Sequence, residues 1–330
     1  MSNLHALEYE HGPKVVALGG GHGLAATLSA LRRITPRITA IVTVADDGGS
    51  SGRLRSEFGI LPPGDLRMAL AALCADDHWG RRWAEVVQHR FGGDGEVSGH
   101  SLGNLMLAAL WEMHDDWVIG LDQVAELLRV VGRVLPMAAI PLEIRALVQD
   151  YSSKEVTEVR GQVAVATARG RVLEISLDPA DPPARPEAIA AVQEADWITI
   201  GPGSWYSSVL PHFLVPAQRD ALIATKAKKV VLVNLDARPG KGLADEAGGR
   251  PPEDLLTLLA THAPGLRLDV VMVDPTTVSD HGRLSKVAED LGARVVVADL
   301  ADGPDSVRHD SWKLASALKD VFDSGAERMH

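Results

Sequence analysis

One cysteine, Cys74, in 330 residues rules out an intrachain disulfide. Basic residues are outnumbered, with Lys and Arg totalling 33 against 44 Asp and Glu. The resulting charge of −11 argues against a general nucleic-acid or anionic-membrane surface, and leaves room only for a locally basic pocket. The first 13 residues lack the basic, apolar and small-residue succession of a secretion signal. The longest stretch free of Asp, Glu, Lys and Arg, Trp197 to Gln218, is broken by Gly201, Pro202, Gly203, Pro211 and Pro216, so it does not read as a spanning helix. These absences predict a cytoplasmic protein with no membrane segment and no nucleic-acid partner. The 12 histidines form no H-E-x-x-H pattern and no metal-ligand spacing, and there is no G-x-S-x-G. Cys74, among Ala and Leu, reads as core rather than nucleophile. What is there is 46% hydrophobic and 23% charged with mean hydropathy near zero, the composition of one large or two closely joined globular domains.

Strand and helix patterns alternate along the chain. Lys14–Leu18, Ile38–Val44, Trp197–Ile200, Val230–Asn234, Val270–Val273 and Arg294–Val297 are short apolar, β-branched runs, as expected of parallel strands covered on both faces. Helical spacing follows over Leu24–Arg33, Pro216–Lys226, Glu253–His262, Gly282–Leu291 and Asp310–Phe322. A doubly wound α/β sheet is the simplest account. Between Pro63 and Val134 nearly every segment has helical spacing, which predicts a helical insertion. Ile144–Val148, Val163–Ala166 and Val172–Ile175 predict antiparallel strands at the sheet edge or in a small excursion. Residues 1–13 and 324–330 are expected to be tails around a single domain at 14–323. The Gly- and Pro-rich 237–252 is long enough for a lid.

In an open α/β sheet, ligands lie beyond the carboxyl ends of the strands where strand order reverses. ALGGGHGL, residues 17–24, places Gly20, Gly21, His22, Gly23 and Leu24 at such an end, before a helix whose free N–H groups and dipole favour phosphate. Leu24 stands where G-x-G-x-x-G needs its third glycine and no Gly-Lys-Ser/Thr follows, so neither the dinucleotide fingerprint nor a P-loop is matched. The four glycines in five residues exceed what a tight turn needs, and we read phosphate or ribose contact.

TVADDGGSSGRLR, residues 43–55, follows the second expected strand with no core-forming residue before Leu54. Asp46 lies about 25 residues after the glycine loop, near where a dinucleotide site puts an acid on a ribose hydroxyl. Asp47 could share that duty or hold a metal, while an Asx-turn and an N-cap are the alternative. Arg53 supplies fixed donors suited to phosphate or carboxylate. IGPGSWYSSVLP, residues 200–211, offers Gly201, Gly203 and Ser204 as a second phosphate cradle, or Ser204 as an N-cap. Asp65 in PPGDLR is either a helix cap or a site residue, and Asn104 in HSLGNL is a polar candidate among apolar neighbours. Asn234 closes an expected strand, and Arg308 precedes the last helix, from which it can reach back over the carboxyl edge of the sheet or stay solvated.

GGGHGL, TVADDGGSSGRLR, PPGDLR, HSLGNL and GPGSWYSSVLP, in this order, resemble the YvcK (gluconeogenesis factor, GlmR) branch of the superfamily that includes the CofD 2-phospho-L-lactate transferases. The resemblance runs from about residue 14 to 322. It implies a Rossmann-like sheet with a helical insertion and a cytoplasmic protein that binds UDP-sugars, notably UDP-N-acetylglucosamine. It further implies support of cell-wall synthesis and cell shape on gluconeogenic carbon, with protein partners in cell-wall precursor synthesis, room for a homo-oligomer and no established reaction of its own. An Arg near the position of Arg308 is implied to contact the sugar nucleotide. The chain departs from the family at His22, where Thr is usual, and at Ala237–Lys241, where a Gln-Pro-Gly-Glu-Thr loop is usual. The transferase branch is the alternative, with Mg²⁺ held by Asp46 or Asp47 to stabilise phosphate charge during transfer to a deazaflavin acceptor. A nicotinamide-dependent dehydrogenase has the fold in its favour but no acid/base pair to carry it.

Overall fold

The computed structural model describes residues 9–235, 250–304 and 306–326. Its strands, in chain order, are Val15–Gly19 (β1), Ile38–Val42 (β2), Arg133–Pro136 (β3), Glu143–Gln149 (β4), Val156–Arg160 (β5), Arg171–Asp178 (β6), Trp197–Ile200 (β7), Lys228–Leu232 (β8), Val270–Val273 (β9) and Arg294–Val297 (β10). Seven of them form a parallel sheet in the order β10-β9-β8-β7-β1-β2-β3, and the other three an antiparallel sheet β5-β4-β6. β1, β7 and β9 are buried along their whole length, as continuous apolar runs require once helices cover both faces. The helices Gly21–Leu31 and Ser311–Ala326 pack on one another, and Phe322 stacks on Trp197 of β7 with ring centroids 4.8 Å apart.

β1 lies between β2 and β7, so the chain runs outward from β1 through β2 to β3 and later resumes on the other side of β1 at β7. Strand order reverses between β1 and β7. The registers Gly19↔Val42 and Leu18↔Ile200 bring the carboxyl ends of these three strands level. The loops that follow them are thereby gathered around one crevice.

The parallel sheet and most helices are as expected, with differences that have local causes. β8 ends at Leu232, so Asn234 falls in the loop beyond it. The helices between β2 and β3 begin at Gly49–Phe58 and end at Trp117–Leu128, and Arg133 and Val134, expected within the helical run, open strand β3 beside β2. Val163–Ala166, expected as a strand, belongs to the helix Gln162–Thr167, because the Asp47 carboxylate accepts the Val163 N–H at 3.0 Å and caps its first turn. The third antiparallel strand is instead Val156–Arg160, and its largely exposed Val-Thr-Glu-Val-Arg gives little apolar signal. Residues 324–326, expected in a tail, continue the last helix. Of the expected 237–252 lid, residues 237–249 lie outside the described residues, as do 1–8 and 327–330 of the tails. Among the described residues no helix is long and apolar enough to cross a membrane.

Candidate functional site

The crevice at the β1/β7 reversal is a cleft of about 430 Å³. On its first side the chain leaves β1 through Gly20, extended at φ −160°, and Gly21, at φ +56°, a left-handed conformation that favours glycine. The helix Gly21–Leu31 starts there, with Gly21, His22 and Gly23 on the cleft wall. Its first-turn amides precede any intrahelical partner, so they present N–H groups at the positive end of the helix dipole. Below the loop, buried His212 places Nε2 3.3 Å from the Gly19 carbonyl while Gln218 Nε2 sits 2.8 Å from its Nδ1. With the amide donating to Nδ1, the proton resides on Nε2 and is given to Gly19. Burial pushes the His212 pKa down to about 4, so the buttress is a neutral imidazole.

The opposite wall is the Gly201–Ser204 turn. Gly201 and Gly203 adopt φ of +74° and +148°. Asn234 brackets Gly203, accepting its N–H at Oδ1 (3.1 Å) and donating from Nδ2 to its carbonyl (2.8 Å). The two glycine loops touch: a Cβ on Gly23 would stand 2.6 Å from the Pro202 carbonyl carbon and 2.9 Å from Gly203 Cα. Thr27 Oγ1 donates to the Gly201 carbonyl at 3.2 Å and locks the first helix to the second loop. Ser204 caps the short π-helical segment Trp205–Val209 by accepting the Ser207 N–H at 3.2 Å, and it lines the cleft as well. Its capping and cleft-facing roles therefore coexist.

Two carboxylates occupy the β2 side. Asp46 Oδ1 accepts the Gly48 N–H at 3.0 Å in an Asx-turn that leaves the residue on the cleft wall. Asp65, in the first turn of Pro63–Ala72, does not cap its own helix; its carboxylate lies against the Gly20–Gly21 turn. Burial raises the Asp65 pKa to about 7, and Asp46 adds to the rise, while the Gly21 N–H and Arg67 oppose it. Both carboxylates could contribute oxygens to a divalent cation. Among the described residues no third His, Cys, Asp or Glu completes a cluster, so ligand phosphate and water would supply its remaining oxygens.

Thus Gly20, Gly21, His22, Gly23, Asp46, Asp65, Gly203, Ser204 and Asn234 are brought together on the cleft. The other candidates stand behind or beside it. Leu24 is a buried core residue, and Gly201 supports the second loop by donating its N–H to the Leu18 carbonyl at 3.0 Å. Asp47 caps Gln162–Thr167. Arg53 is exposed and donates to the Ser98 carbonyl at 2.6 Å. Asn104 is buried, donating to Ser50 Oγ at 3.0 Å, and Ser50 Oγ lies 2.9 Å from His100 Nδ1. Arg308 is exposed between Val307 and His309, which do line the cleft. Thr43, Met68, Gln162, Ser207, Ser208, Leu235 and His309 complete the lining without having been expected there. Thr43 and the Ser207-Ser208 pair were legible as polar residues flanking the two motifs, whereas His309 has no sequence signal beyond its neighbour Arg308.

Known proteins resemble this chain over nearly its whole length. The model of the 2-phospho-L-lactate transferase CofD family matches residues 15–314. The gluconeogenesis factor of Bacillus subtilis is 36% identical over 94% of this chain and 98% of that one. The chain belongs to the gluconeogenesis factor (YvcK) group of the CofD family. The gluconeogenesis factor of Listeria monocytogenes is 34% identical over 94% of this chain and 96% of that one, and a Mycobacterium leprae protein is 50% identical over 94% and 86%. A crystal structure of a Bacillus halodurans protein superposes with a TM-score of 0.79 at 32% identity, covering 94% of this chain and 99% of that one. All of the motifs described above fall inside the matched residues.

Proposed function

We propose that this member of the family is a cytoplasmic UDP-sugar-binding regulator, with UDP-N-acetylglucosamine as its ligand and cell-wall precursor synthesis as the process it serves. The observation that carries this reading is the pair of glycine loops pressed edge to edge at the β1/β7 reversal, with helix N–H groups on one side and the Asn234-braced Gly203 peptide on the other. Such a cradle suits a diphosphate. Asp46, in the loop after β2, lines the same cleft and suits ribose hydroxyls. The family relatives named gluconeogenesis factor support a role in carbon metabolism. Calorimetric titration of the full chain with UDP-N-acetylglucosamine tests the reading: saturable binding that Gly21→Val abolishes is expected, and no binding of any uridine nucleotide would end it.

A 2-phospho-L-lactate transferase is the second reading, and the Asp46–Asp65 pair favours it. Mg²⁺ bound by these two carboxylates would neutralise phosphate charge on a donor lying along the glycine loops. Incubation with a deazaflavin acceptor, an activated phospholactate donor and Mg²⁺ separates the two, because product formation that Asp46→Asn removes would favour the transferase.

A further inference from the structure

The loop after β2 carries two neighbouring carboxylates with different duties. Asp46 lines the cleft, whereas Asp47 accepts the Val163 N–H at 3.0 Å. The second oxygen of Asp47 lies so close to Gly161 that a Cβ there would overlap it, and Gly161 in turn donates its N–H to the Ile144 carbonyl of β4 at 2.8 Å. The start of the helix Gln162–Thr167 is thus pinned both to the β2 loop and to the small antiparallel sheet.

Gln162 sits between these anchors, half-buried and on the cleft wall. Neither end of its side-chain amide has a protein partner among the described residues, and neither is sealed from solvent. Its Oε1 and Asp46 Oδ1 stand 3.9 Å and 3.4 Å from the place a Cβ on Gly48 would take, so the free amide lies beside the carboxylate that suits ribose. One ligand moiety can reach both. An uncharged amide offers donors and an acceptor together, the pattern that ribose hydroxyls and the edge of a base also present, whereas ionised phosphate oxygens only accept.

We propose that Gln162 is a specificity-determining residue that hydrogen-bonds the nucleoside half of the ligand, with Asp47 as the positioning residue that holds it there; this rests on the nucleotide reading given above. Gln162→Leu keeps the bulk of the side chain and removes only the amide. Because that amide has no partner in the protein, the Tm should be nearly unchanged, while UDP affinity in calorimetric titration of the full chain should fall about five- to tenfold. Two further ligands separate the groups that could be read. If Gln162 meets a ribose hydroxyl, the wild-type preference for UDP over 2′,3′-dideoxy-UDP shrinks in the variant; if it meets the base, the preference for UDP over CDP shrinks. Asp47→Ala should also weaken UDP, but in the Gln162→Leu background it should cost no more than about twofold further, since nothing remains to be positioned. A merely structural Asp47 would weaken binding by the same factor in both backgrounds. Unchanged UDP affinity in Gln162→Leu, or an equal loss for UDP, 2′,3′-dideoxy-UDP and CDP, overturns the assignment of Gln162, and additive losses overturn that of Asp47. A wild type that binds no uridine nucleotide would instead overturn the nucleotide reading, and the inference with it.

Discussion

Asn234 and Gly203, 31 residues apart in sequence, are joined through both polar groups of the side-chain amide, Oδ1 taking the Gly203 N–H and Nδ2 giving to the Gly203 carbonyl. One side chain beyond β8 thus fixes the loop beyond β7, and a wall of the cleft is shaped by a contact across strands. Gly203 sits at φ +148°, which its lack of a Cβ permits.

Asn234→Leu should therefore untether the turn. Two backbone groups lose their partner, at about 1–3 kcal/mol for each left unsatisfied, although water in the cleft offsets part of this. A net destabilisation of about 2 kcal/mol and a weaker nucleotide affinity are expected from urea unfolding and titration. Unchanged unfolding would show that Gly203 is held by its own turn.

Gly23→Ala sets two effects against each other. Alanine is the better helix former by about 1 kcal/mol, yet its Cβ would overlap the Pro202 carbonyl and crowd Gly203 Cα at 2.9 Å. Backbone on both sides can yield little, so overpacking at about 1–3 kcal/mol should prevail and part the two loops. A lower Tm together with lost nucleotide binding is expected; a higher Tm would mean that helix propensity wins.

Much of this was legible because parallel strands announce themselves. Val270–Val273 and Arg294–Val297 are short β-branched runs, and the alternation of such runs with helical spacing predicts the sheet. The glycine loops were legible for a related reason, since glycine in excess of turn requirements marks close backbone approach. Arg133–Pro136 was not legible: four residues ending in proline next to a long helical run carry no period, and only pairing with β2 makes them a strand. Val163–Ala166 alternates like a strand, but a carboxylate from residue 47 caps it as a helix, a tertiary term that no local pattern contains. Asp65 shows the same limit. Its place in Pro-Pro-Gly-Asp suggests a cap, whereas its carboxylate faces the Gly20–Gly21 turn that follows β1.

Asn104→Ala should act on stability rather than on the ligand. The Asn104 amide gives a proton to Ser50 Oγ, whose hydroxyl can then donate to His100 Nδ1, a buried latch between the helices Gly49–Phe58 and Leu102–Met113. Removing it should cost about 1–3 kcal/mol in denaturant unfolding while nucleotide affinity stays within about twofold. Lost affinity without lost stability would return Asn104 to the ligand site.

Asp65 should make the protein sensitive to pH near neutrality. Its carboxyl, ordinarily titrating near 3.8, is raised to about 7 by burial and by Asp46. Between these values the folded state holds a proton that the unfolded chain has released, so its stability contribution is full below about 3.8, declines as pH rises through the window, and levels off above about 7. Asp65→Asn removes the titrating group, and from pH 5 to pH 8 the wild type should lose roughly 2 kcal/mol relative to the variant, less to the extent that cleft water screens the charge. Ligand affinity should follow the same sign. A diphosphate meets an additional carboxylate charge, that of Asp65, once the pH passes about 7, so affinity in divalent-free buffer should fall across that range in the wild type and stay flatter in Asp65→Asn. Added Mg²⁺ should lessen the wild-type decline by supplying a counter-charge to the pair. Parallel unfolding curves for the two proteins at pH 5 and pH 8 would mean that Asp65 is ionised throughout, with the Gly21 N–H and Arg67 outweighing burial.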